Sequence, residues 1–141
     1  MSTQAGTTDQ SVAGVFGRAA ATFGGMGNFS HFGERLVVHA QVDEGDCVLD
    51  VATGRGANAF SAAKRAGARG RVIGVDIASE MLEETAKELA SGSWPTIELR
   101  QMDAEHLEYS DASFDCVLCG FALWPATAHA QARVGGRAVV Q

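Results

Sequence analysis

The amino-acid sequence predicts an α/β fold, a mostly parallel sheet of about five strands with helices on both faces. Three observations predict it. From Cys47 onward short apolar runs alternate with helical segments in a βαβα rhythm. The runs lack polar alternation, so both of their faces are buried, as in parallel strands covered by helices. The chain has 141 residues, 46% of them apolar and 20% charged, which suits a single core of ordinary size.

The elements follow in order. Residues 1–11 are polar and read as a flexible tail, and residues 12–44 as an N-terminal helical segment. In that segment Val12, Phe16, Ala19, Ala20 and Phe23 recur at helical spacing, while Gly14 and Gly17 weaken the helix. The run Gly24-Gly25-Met26-Gly27-Asn28 breaks the chain. Ser30 is then placed to cap a second helix with Phe32, Leu36, Val37 and Ala40 on its apolar face. It ends near the turn Asp43-Glu44-Gly45-Asp46.

Residues 45–141 supply the sheet. The first strand is 47–51, followed by a helix over 57–66, a second strand over 71–76 and a helix over 79–90. Ser79 is the expected N-cap of that helix, Glu80, Glu83 and Glu84 favour the positive end of its dipole, and Gly92 falls just past its end. A third strand over 96–102 and a fourth over 114–119 come next, then a short helix over 126–134, a Gly135-Gly136 turn and a fifth strand over 137–140.

Charge and composition exclude several classes of function. Eleven Lys and Arg against seventeen Asp and Glu leave a net charge of -6, which opposes nucleic-acid binding. No apolar run reaches signal-peptide or bilayer length, so the expectation is a cytoplasmic protein with no membrane partner. Three cysteines in that setting give no disulfide framework, and the Asn28-Phe29-Ser30 triplet then carries no glycan. Cys116 and Cys119, three apart on a strand, point to opposite faces and read as small buried thiols rather than a redox or metal pair. His31, His39, His106 and His129 have no metal-ligand spacing.

The chemistry gathers where the first strand meets its helix. The stretch from Asp50 to Ala59 carries Gly54 and Gly56, which let backbone N–H groups approach a ligand at a helix N-terminus. The pattern Gly54-x-Gly56-x-x-Ala59, with Asp76 about twenty residues on, also satisfies the dinucleotide fingerprint. Two readings therefore compete. Asp50 favours a cationic ligand with a free amino group, because a carboxylate inside the loop repels a pyrophosphate.

The segment Val48-Leu49-Asp50-Val51-Ala52-Thr53-Gly54-Arg55-Gly56 resembles the first motif of class I S-adenosylmethionine-dependent methyltransferases. The run from Val72 through Asp76 to Leu82 resembles that family's second strand and acidic loop. Gln101-Met102-Asp103-Ala104-Glu105-His106-Leu107 is similar to its adenine-binding motif, and Asp111 to Phe121 to its fourth strand. The likeness covers residues 16–121 and is greatest to the small-molecule branch, which includes quinone-biosynthesis and secondary-metabolite methyltransferases.

The resemblance implies a Rossmann-like domain, S-adenosylmethionine as cofactor and a small-molecule acceptor. It implies that Asp50, Ala52, Gly54 and Gly56 line the methionyl part and that Asp76 takes both ribose hydroxyls. Ile77 would pack on the adenine, Asp103 accept from its exocyclic amine, and the Ala104 N–H donate to its ring. Phe121 stands where a strand end opens onto the cofactor. His31 is the candidate general base at a cofactor lid, with a surface cap residue as its plainer alternative. Ala52 stands where the family usually has glycine, and alanine suits the turn if φ there is negative. Asp76 as a solvated strand-end acid, and Asp50 and Asp103 as structural caps, are the plainer alternatives for those residues.

The family's domain continues past its fifth strand through a helix and two further strands, and the expectation is that this chain lacks them. The stretch 124–135 also reads as shorter than the family's link between fourth and fifth strands. With the last two strands gone, the fifth strand becomes an apolar edge without Pro or Lys, open to a homodimer. Methyl transfer is the first functional reading. A cofactor-binding protein that does not methylate is the second, and a nicotinamide-dependent oxidoreductase is disfavoured by Asp50 and the Asp103-Ala104 motif.

Overall fold

The computed structural model describes residues 29–104, 106–109, 113–119 and 137–140. Its elements are α1 (Phe29–His39), β1 (Cys47–Val51), α2 (Ala57–Ala66), β2 (Arg71–Asp76), α3 (Ser79–Ser91), β3 (Ile97–Gln101), β4 (Cys116–Cys119) and β5 (Arg137–Val140). The five strands form one sheet in the order β3-β2-β1-β4-β5. Every pairing is parallel, with Val51 beside Val75 and Asp76 beside Gln101. The chain moves outward from β1 to β2 and β3, then returns to β1's other side with β4, so strand order reverses between β1 and β4. In open α/β sheets that reversal opens a crevice at the carboxyl ends of the strands.

Alternate residues of β1, β2 and β4 enter two cores. On one face Val48, Val72, Cys116 and Leu118 pack under α1 and α2, which contribute Leu36, Val37, Ala59, Ala62 and Ala66, with Ala40 just past the end of α1. On the other, Leu49, Val51, Ile73, Val75, Val117 and Cys119 are covered by Leu107 and Phe114. Tyr109 stands edge-on to Phe114 at 5.1 Å between ring centres and closes this second core. Cys116 and Cys119 thus face opposite ways, as their spacing requires. The expected helix over 126–134 and Phe121 lie outside the described residues.

The helix ends differ from expectation. Ser30 lies within α1 rather than capping it. The N-cap of α3 is Ala78, in extended backbone without a side-chain cap, and its N–H donates to Asp76 Oδ1 at 2.9 Å. Ser79 is the first helical residue, and its hydroxyl turns to Glu80 instead. Phe32, expected on the apolar face of α1, is 38% exposed. Gly33 takes the contact, because a Cβ there would stand 2.4 Å from the carbonyl oxygen of Ala57. The two helices meet backbone to backbone, which leaves no space between them for the neighbouring ring.

β4 begins two residues later than expected. Asp115 instead closes the base of the strand: its N–H donates to the Cys47 carbonyl and its Oδ2 accepts from the Cys47 N–H, each at 2.8 Å.

Candidate functional site

Three residues in five adopt left-handed backbone where β1 turns into α2: Ala52 at φ 56°, Gly54 at 54° and Gly56 at 85°. Ala52 therefore departs from the negative φ under which alanine suits this turn, at a cost of about 1–2 kcal/mol. The bend brings the Thr53 N–H onto the carbonyl of Val75 at 2.9 Å. Thr53 is buried, and its Oγ1 donates to Asp50 Oδ2 at 2.6 Å. Gly74 makes room for it, since a Cβ on Gly74 would lie 2.8 Å from Thr53 Oγ1. Gly56 then caps α2 from the left-handed region without a side-chain bond.

Asp50 lies wholly beneath this loop, at 0% exposure, rather than on its surface. It accepts from Thr53 and, at 3.4 Å, from Asn58 Nδ2. Burial pushes its pKa up to about 7; the bonds from Thr53 and Asn58 oppose the rise, and the neighbouring Asp76 charge adds to it. Asp76, at the end of β2, is buried too. Its Oδ2 accepts the Gly54 N–H at 2.9 Å while Oδ1 holds Ala78, and burial raises its pKa against those bonds. A carboxylate under the loop and another beside it give the crevice a negative field. A cationic ligand offsets the cost of burying that charge, whereas a pyrophosphate adds to it.

Ile77 and Ala104 are half-buried near the same strand ends. The Ile77 carbonyl accepts from Gln101 Nε2 at 3.1 Å, and Ala104 packs against the second core. The Asp103 side chain, 29% exposed, lies 3.3 Å from His106 Nδ1. Asp50, Ala52, Gly54, Gly56, Asp76, Ile77, Asp103 and Ala104 are thus brought to the carboxyl end of the sheet. His31 is exposed in the first turn of α1, two residues before the Gly33 that touches the start of α2.

Four residues near this end of the sheet have no role assigned to them from sequence alone: Thr53, Asn58, Gly74 and Thr85. Gly74 had a legible signal, since glycine inside a buried strand marks a close approach. Thr85 of α3 donates to the Gly54 carbonyl at 2.8 Å, a contact between elements that no local pattern announces. Among the described residues no group of three or more His, Cys, Asp or Glu side chains is placed to hold a metal ion, and no helix is long and apolar enough to cross a membrane.

Comparison with known proteins gives concordant likenesses. Residues 48–136 match the family described as Methyltransferase domain. The chain is 37% identical to aklanonic acid methyltransferase DauC of Streptomyces sp. over 77% of its own length and 50% of that protein's. It is 35% identical to the ubiquinone/menaquinone biosynthesis C-methyltransferase UbiE of Francisella philomiragia over 92% of its length and 58% of that protein's. The chain therefore spans about half the length of these relatives. In fold it is similar to a SAM-dependent methyltransferase from Aquifex aeolicus, with a TM-score of 0.75 at 18% identity over 88% of this chain and 71% of that one.

Proposed function

The chain belongs to the methyltransferase domain family, whose cofactor is S-adenosylmethionine, and from that premise we propose that it transfers a methyl group from this cofactor to a small-molecule acceptor. One observation carries the choice of ligand: two buried carboxylates, Asp50 beneath and Asp76 beside it, flank a glycine loop whose Gly54 N–H is bonded to the second of them. That arrangement fits a cationic ligand at the carboxyl ends of β1, β2 and β3.

S-Adenosylmethionine, when bound, supplies an electrophilic methyl on a positively charged sulfur. The protein supplies grip and orientation. Asp76 retains lone pairs beyond those on Gly54 and Ala78, and these accept the ribose hydroxyls. Ile77 packs on the adenine, Asp103 accepts from its amine and the Ala104 N–H donates to its ring. Ala52, Gly54 and Gly56 line the methionyl end, while Asp50 acts from beneath by holding Thr53 and Asn58 and by its charge. His31 stays the candidate base, and an acceptor acidic enough to lose its own proton needs none.

The relatives' names, aklanonic acid and ubiquinone/menaquinone, support a small organic acceptor. Residues 45–141 would form the cofactor domain, with α1 sealing its first core. Pairing of β5 with a second copy is the partner we propose.

Titration calorimetry tests the reading. S-Adenosylmethionine and S-adenosylhomocysteine should bind with Kd on the order of micromolar, and NADH should give no measurable heat. NADH binding in preference to both would overturn it.

A further inference from the structure

Gly54 is the residue on which the two sides of the loop meet, and it is held without a side chain. The space where a Cβ would stand is open, the nearest atom being the Ala52 carbonyl oxygen at 4.0 Å. Its N–H donates to Asp76 Oδ2 at 2.9 Å, and its carbonyl accepts from Thr85 Oγ1 at 2.8 Å.

Thr85 sits in the middle of α3 at 1% exposure. Threonine is a poor helix former, and a hydroxyl inside a helix ordinarily returns to the carbonyl one turn back. Thr85 does reach Met81 O, at 2.9 Å, so its single proton is shared between its own helix and the loop. Its methyl is engaged as well: Cγ2 lies 3.1 Å from where a Cβ on Gly56 would stand. The two branches of one side chain thus meet the two glycines of the loop. One turn on, Glu88 pairs with Arg55, the residue between those glycines.

We infer that Thr85 is a positioning residue for the cofactor site, fixing the Gly54 peptide so that its N–H stays on Asp76 and so orienting the carboxylate that takes the ribose. The inference rests on the reading of the site given above. It assigns α3, which contributes no ligand contact in that reading, the task of setting the loop's shape.

Two substitutions separate the branches. Thr85→Val keeps the shape and removes the hydroxyl, and should raise the Kd for S-adenosylhomocysteine by about tenfold. Thr85→Ser keeps the hydroxyl and should bind within about twofold of wild type even if its melting temperature falls. Amide hydrogen exchange on the ligand-free proteins should show Gly54 losing protection in Thr85→Val while Val72 and Val75 of β2 keep theirs. Wild-type affinity in Thr85→Val, or failure of Thr85→Ser to restore binding, would overturn the inference alone. A wild-type protein that binds no S-adenosylhomocysteine would overturn the reading of the site and this inference with it.

Discussion

Asp50 and Asp76 make stability depend on pH. An ordinary aspartate titrates near 3.9, whereas burial holds Asp50 near 7 in the folded chain and raises Asp76 in the same direction. Between about pH 4 and pH 7 the folded state therefore keeps a proton that the unfolded chain has released. Stability is present below that window, falls as pH rises through it and levels off above the folded value. Urea melts from pH 5 to 8 without ligand should show this decline, and Asp50→Asn should flatten it. Asp76→Ala removes the carboxylate that accepts the Gly54 N–H and is proposed to take the ribose, so S-adenosylhomocysteine should bind more than tenfold more weakly by calorimetry, a loss of about 1.5–3 kcal/mol. At Ala52, glycine relieves the left-handed strain but enlarges the freedom of the unfolded chain. Ala52→Gly should consequently shift stability by less than about 1 kcal/mol in the same urea assay.

At the scale of elements, α1 and α2 are joined where Gly33 meets Ala57. Alanine favours a helix over glycine by about 1 kcal/mol, yet a Cβ here strikes backbone that cannot rotate away. Gly33→Ala should therefore cost a net 1–3 kcal/mol or so in denaturant melts, the opposite sign from propensity alone. The same contrast separates what could be read in the chain from what could not. β1, α2, β2 and β5 have the bounds expected of them, because unbroken apolar runs and alanine periodicity are local facts. The N-cap of α3 was not legible at Ser79, because a carboxylate on β2 takes the Ala78 N–H first. Nor was the backbone of Ala52, where a bond from Thr53 to a neighbouring strand overrides the residue's own preference. The acidic and glycine positions of the site were visible as residue types, while Thr85 became visible only once α3 lay against the loop.

For the molecule as a whole, the two sheet edges differ. β3 carries Glu98 and Arg100, paired with each other and, through Glu98, with Arg71 on β2, a charged surface of the kind that discourages strand addition. β5, the other edge among the described residues, reads Arg-Ala-Val-Val. Sedimentation equilibrium should accordingly show the weight-average mass rising with concentration toward a dimer, and a mass that stays monomeric throughout would refute pairing through this edge. The cover of the second core has a different consequence. Leu107 and Phe114, which cover the second core, follow closely in sequence on Asp103 and Ala104, the residues proposed to hold the adenine. On that proposal bound cofactor holds down the cover as well as the site, and proteolysis at this cover should slow as S-adenosylhomocysteine is added.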